Sequence, residues 1–139
     1  MEVTSVTNGI IIDHVPAGTA LKVLQFLHID PAKTKLALIM NASSQRYGTK
    51  DIIKIEDETS VDLNVLSLIA RQATVDIVKG GKIIDKQQPS LPEHVVNVIS
   101  CTNPRCVTTT EHGIDQLFHL MHTKRQEYRC DYCDEEAKF

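Results

Sequence analysis

Four cysteines in two close pairs constrain this chain more than any other feature. Cys101 and Cys106 are separated by four residues, Cys130 and Cys133 by two, and 23 residues lie between the pairs. Two short thiol loops with a longer insert match a four-thiolate zinc site. Each loop can aim two sulfurs at one point, and Pro104 suits the turn of the first because its φ is fixed. About 45 residues surround these cysteines, too few to bury a self-sufficient core, so a staple is expected. Two disulfides are the competing reading. Met1 to Gly9 has no basic start and no apolar signal core, so secretion is not expected and thiols should stay reduced. Four thiolates leave no open coordination position, which makes the expected zinc structural rather than catalytic. A redox role for Cys130-x-x-Cys133 is the weaker option, because that motif usually accompanies a thioredoxin-like βαβ unit. His112, His119 and His122 lie between the pairs and could replace a sulfur. With four cysteines at suitable spacing, they read as surface or loop residues.

Charge divides the chain at the same place. Residues 1–92 carry ten Lys/Arg and ten Asp/Glu, whereas residues 93–139 carry five and eight, and so hold the whole net charge of −3. A neutral and an acidic half disfavour nucleic-acid binding, which needs a basic footprint. Aromatics make up 4% with no Trp, so a base-stacking platform is not expected either. The longest apolar runs, such as Leu36 to Met40, fall far short of the roughly 18 residues of a membrane span. At 42% hydrophobic and 24% charged, the chain can form an ordinary globular core.

The first 92 residues read as alternating elements. Val3–Val6 and Ile10–Ile12 are extended and β-branched, with Asp13-His14 closing the stretch. Pro16 suits a helix start, and Ala20, Leu21, Leu24 and Leu27 give residues 17–28 one apolar face. Leu36–Met40 is a second strand, residues 43–49 a polar loop, and Asp51–Glu56 a third strand. Ser60 can cap a second helix carrying Val61, Val65, Leu66, Leu68 and Ile69. Thr74–Val78 and Lys82–Lys86 flank Gly80-Gly81, a two-residue hairpin signal. The order β-α-β-β-α-β with an added strand predicts an α+β fold, a ferredoxin-like sandwich with an antiparallel sheet. Gln87–Pro92 reads as a linker. Val95–Ile99 then leads into a small zinc-bound antiparallel β domain. The division is therefore 1–92 and 93–139.

Chemistry in the first domain is sparse. It has no phosphate-binding glycine loop, nucleophile elbow or paired carboxylates. Lys54 interrupts the apolar strand Ile52-Ile53-Lys54-Ile55, so it either snorkels at an edge or serves a ligand. Lys54, Lys86 and His14 could converge at one end of the sheet, where they would suit a polyanion such as a triphosphate.

Several segments together carry a family resemblance. Ile12-Asp-His-Val-Pro-Ala17, Lys50-Asp-Ile-Ile-Lys-Ile-Glu56, Gln72-Ala-Thr-Val75, Pro89-Ser-Leu-Pro-Glu93 and the four cysteines occur in order. The chain resembles the regulatory chain of aspartate carbamoyltransferase over nearly its whole length. The resemblance implies a non-catalytic, cytoplasmic subunit of pyrimidine biosynthesis with a nucleotide-binding domain and a zinc domain that docks on the catalytic chain. It implies ATP, CTP and UTP as effectors. It also implies dimers of regulatory chains within a dodecamer of six catalytic and six regulatory chains, with no nucleic acid or membrane partner. By the same resemblance Asp13 and His14 contact ribose and phosphate, and Lys54 and Lys86 are nucleotide-binding lysines. Val3, Val6, Val78 and Ile83 line the site. Asp76 stands where the family has Asn, and a carboxylate there repels a triphosphate unless a cation such as Mg2+ bridges them. Gly81 stands where the family has Tyr. Asn103 matches an interface residue in the first zinc loop, and Arg105 departs from the pattern beside it. Two other readings compete: an independent nucleotide-sensing module, and a zinc-ribbon interaction protein.

Overall fold

The computed structural model describes residues 6–58, 60–122 and 127–138. Two units follow one another along the chain, Met1–Ser90 and Leu91–Phe139. The first unit runs β1 (Gly9–Pro16), α1 (Ala20–Phe26), β2 (Leu36–Ser44), β3 (Gly48–Glu56), α2 (Leu63–Ile69), β4 (Thr74–Lys79) and β5 (Lys82–Gln87). Its sheet has the order β2-β3-β1-β4-β5, with every neighbouring pair antiparallel. Each helix joins two strands that leave a gap between them, and a strand of the other βαβ unit fills it. This is the expected ferredoxin-like split βαβ arrangement, extended at one edge by β5.

Strand alternation selects the buried face. Ile10 and Ile12 on β1, Ile53 and Ile55 on β3 and Val75 on β4 are fully buried against Ala20, Val23 and Leu24 of α1 and Leu66 of α2. Each large side chain buried this way contributes about 1.5–3 kcal/mol. The intervening residues, among them Ile11, Lys54 and Asp76, share the opposite face and are half-buried. Gly9 opens β1 where a Cβ would stand 2.1 Å from the Ile55 carbonyl oxygen, so only glycine fits.

Several boundaries differ from those expected. Asp13-His14 does not end the first strand: β1 continues to Pro16 through an irregularity between Ile12 and Val15, with His14 at φ 57°. Pro16 therefore closes a strand, pairing with Lys50, and α1 starts later and ends sooner than residues 17–28. Asp62, not Ser60, caps α2, its side chain accepting from the amides of Asn64 and Val65. A carboxylate directly before the first turn reaches both donors, as Ser60 two residues upstream does not. The polar loop is shorter than expected. β2 and β3 run on until Ser44 pairs with Gly48, leaving only residues 45–47 in the turn. Gly48 has φ 82°, as a three-residue hairpin requires. Gly80 and Gly81, both at positive φ, form the expected tight turn.

The second unit contains β6 (His94–Val96), α3 (Val107–Thr110), β7 (Leu117–Leu120) and β8 (Tyr128–Cys130), with the antiparallel order β6-β7-β8. β6 is shorter than the strand expected over 95–99. Val95, Ile99, Phe118, Leu120 and Tyr128 are buried together with Cys101, Cys106 and Cys130. So small a core needs the cysteine cluster to complete it.

Candidate functional site

The four cysteines converge. Their sulfurs all lie within 4.8 Å of one another, with Cys101 to Cys133 at 3.5 Å and Cys106 to Cys130 at 3.8 Å. All four are free thiols. Sulfurs at the Zn–S length of about 2.3 Å in a tetrahedron stand roughly 3.8 Å apart, so the cluster fits one tetrahedral metal ion. Local turns set the spacing. The Cys106 amide donates to the Asn103 carbonyl at 3.1 Å, and the Asp134 amide to the Cys130 carbonyl at 2.9 Å. The thiols differ. Burial pushes Cys101 up to about 12 and raises Cys130. Hydrogen bonds from Thr108, whose hydroxyl lies 3.1 Å from the sulfur, lower Cys106 to about 7. His119 pairs with Asp131 and His122 with Glu93, outside the cluster. Asn103 stays in its loop, its side chain accepting from the Arg105 amide at 3.0 Å, and Arg105 is exposed.

In the first unit, cross-strand register places several candidate residues in one row. Lys54 pairs with Ile11, Ile11 with Asp76, and Asp76 with Lys86. Directly opposed residues share a face, so this row crosses the face away from the helices. Lys54 and Lys86 stand three strand spacings apart, roughly 14 Å. They flank the row rather than converge at one end of the sheet. Asp76 sits between them, next to Lys86. The adjacent row pairs Glu56 with Gly9, Gly9 with Val78 and Val78 with Ile83. Val78 and Val6 are buried, while Ile83 is exposed. Gly81 donates its amide to the Thr7 carbonyl at 2.8 Å, a backbone contact that needs no side chain. Val3 lies outside the described residues.

Asp13 and His14 stand where β1 is irregular. Lys50 places its ammonium 3.0 Å from the Asp13 carboxylate, and only 16% of its side chain is exposed. The Asp13 carboxylate also accepts the His14 amide at 2.6 Å and lies 3.8 Å from His14 Nε2. His14 Nδ1 is buried without a hydrogen-bond partner. Lys50 is the residue that sequence reasoning missed, although it opens the Lys50–Glu56 segment quoted above. Alternation along β3 puts Lys50 and Lys54 on the same face, and that was the available signal. Between them, the two lysines and His14 give this face the means to hold a polyanion.

An open, partly cationic sheet face in one unit and a closed thiolate cluster in the other define a two-unit binding protein carrying a structural metal knuckle. The family model described as the allosteric domain of the aspartate carbamoyltransferase regulatory chain matches residues 1–90, and that of its metal binding domain matches residues 93–139. The chain belongs to the aspartate carbamoyltransferase regulatory chain family, and is a non-catalytic chain with an allosteric and a metal-binding domain. Among its relatives, the regulatory chain of Bifidobacterium longum is 75% identical over 138 residues, covering 99% of both chains. That of Clostridium acetobutylicum is 44% identical over 138 residues, covering 99% of this chain and 94% of the relative. That of Clostridium tetani is 41% identical over 139 residues, covering 99% and 96%.

Proposed function

We propose that this chain regulates an aspartate carbamoyltransferase by binding nucleoside triphosphates on the open sheet face of residues 1–92. Through residues 93–139, held by one zinc ion, it docks on the catalytic chain. The observation that carries the reading is the row Lys54–Ile11–Asp76–Lys86, whose two lysines stand roughly 14 Å apart on one face, near enough for both side chains to reach a single triphosphate. Phosphates are held by Lys86 and Lys54, and ribose and phosphate by Asp13 and His14. Val3, Val6, Val78 and Ile83 supply apolar lining. Lys50 joins the phosphate ligands, because its pairing with Asp13 is the kind that a stronger anion displaces. Mg2+ bridging Asp76 to the triphosphate offsets the carboxylate's repulsion. ATP, CTP and UTP are the effectors, acting in pyrimidine biosynthesis in the cytoplasm. Among the described residues no helix is long and apolar enough to cross a membrane.

Regulation requires that nucleotide bind two states of the holoenzyme unequally. Coupling of about 1–3 kcal/mol changes substrate affinity about 5–150-fold. The signal leaves the sheet face along residues 87–92 and reaches the catalytic chain through the metal loops, where Asn103 and Arg105 form part of the docking surface. Native mass spectrometry of the chain with its cognate catalytic trimer tests the assembly. Six catalytic and six regulatory chains, dissociating on zinc chelation, are expected. An assembly that persists without zinc removes the metal from docking. No assembly at all leaves an independent nucleotide sensor.

A further inference from the structure

Resting on the nucleotide reading above, we propose that Arg46 and Tyr47 extend the same site as its outer wall, with Arg46 recognising a phosphate group of the nucleoside triphosphate. Neither residue belongs to a binding motif in the sequence. The hairpin between β2 and β3 brings them in. Ser44 accepts the Tyr47 amide at 3.1 Å and Gly48 closes the turn at φ 82°. That geometry turns the Tyr47 ring edge-on to His14, with ring centroids 6.1 Å apart and planes at 64°. Arg46 in turn holds its guanidinium 5.3 Å from the centre of the Tyr47 ring.

Three facts give this stack a ligand-binding sense. First, His14 has φ 57° and carries a buried Nδ1 with no partner. Backbone strain beside an unsatisfied polar atom collects at binding sites. Second, among the described residues Arg46 has no carboxylate within ion-pair distance, so its charge is uncompensated, unlike that of Lys50 on Asp13. Third, stacking on an aromatic ring restricts the guanidinium beforehand. Less freedom is then lost when it grips an anion, and its planar fork suits the oxygens of a phosphate. Tyr47 is therefore a positioning residue: it presents Arg46 and covers His14.

The test is calorimetry on the full zinc-loaded chain with CTP and CMP, using Arg46→Ala, Tyr47→Phe, Tyr47→Leu and the double variant Arg46→Ala with Tyr47→Leu. Both residues are exposed in a turn, so the variants should fold. Arg46→Ala is expected to weaken CTP about tenfold, as loss of one charge-assisted phosphate contact would, and CMP less than twofold. Tyr47→Phe should bind like the parent chain, because the ring alone supports the guanidinium. Tyr47→Leu should lose most of what Arg46→Ala loses, and the double variant little more than either. CTP binding within twofold of the parent for Arg46→Ala, while Lys86→Ala still loses it, overturns this inference and leaves the nucleotide reading standing. A parent chain that takes up no nucleoside triphosphate overturns both.

Discussion

Asp51 offers the sharpest test of how the first unit is held together. It is fully buried, and its oxygens accept three backbone amides: Gly18 at 2.9 Å, Ala20 at 3.0 Å and Asn41 at 3.0 Å. Those amides belong to the turn after β1, the start of α1 and the irregularity of β2. One carboxylate on β3 therefore ties three segments to the sheet. In Asp51→Asn the volume is kept and the amide oxygen can still serve Gly18 and Ala20. Its NH2 group then meets the Asn41 N–H, donor against donor. Leaving one buried donor unpaired costs about 1–3 kcal/mol, so a loss of about 2 kcal/mol is expected. Asp51→Ala strips all three donors and leaves a void, and the expected loss is about 4–5 kcal/mol. For a domain whose total stability is about 5–15 kcal/mol, that is a large share. The assay is urea denaturation of the zinc-loaded chain, followed by hydrogen exchange at the amides of Ile10 and Ile12, with Asp57→Asn as an exposed control. Loss below about 0.5 kcal/mol for Asp51→Asn, the range of ordinary surface changes, or equal losses for Asn and Ala, would refute the reasoning.

Other predictions concern the metal and the sheet face. Cys133→Ala should abolish metal binding and unfold residues 93–139, because structural zinc binding supplies about 10–16 kcal/mol of folding free energy; undiminished exchange protection at Phe118 and Leu120 would disprove it. Metal uptake should release at least two protons per ion at pH 7, from Cys101 and Cys130, whose thiols burial keeps protonated. Since protons compete for the sulfurs, affinity must rise with pH, and calorimetry in buffers of different ionisation enthalpy that finds fewer protons would contradict this. Asp76→Asn should tighten CTP binding about fivefold without Mg2+, as removing one like charge at a partly exposed site is worth about 1 kcal/mol. With Mg2+ present the gain should shrink, and an unchanged affinity in chelator would count against a phosphate near Asp76.

Much of this architecture was legible in the chain itself. Metal-ligand spacing is a local property, so two cysteine pairs announced their cluster without knowledge of the fold. Alternating isoleucines and the Gly80-Gly81 turn are likewise read over a few residues. The failures arose where a residue's partner is distant in sequence. Asp51 was legible only as the first residue of the expected third strand, yet its three donors come from segments ten to 33 residues away. His14 was placed at a strand end because no local pattern signals an irregularity in mid-strand. Lys50 escaped notice until Asp13 was found against it.

Sequence alone thus determined the order of elements in the first unit, the division of chemistry between an α+β half and a cysteine-bearing half, and the thiolate character of the metal site, but not the short helix Val107–Thr110 of the second unit. Tertiary structure decided which side chains share a face. Lys54 and Lys86 lie 32 positions apart in the chain, and only antiparallel register through β1 and β4 sets them in one row with Asp76 between. Burial of the isoleucine face against the helices fixes that register, because a slip of one residue would turn every buried side chain outward.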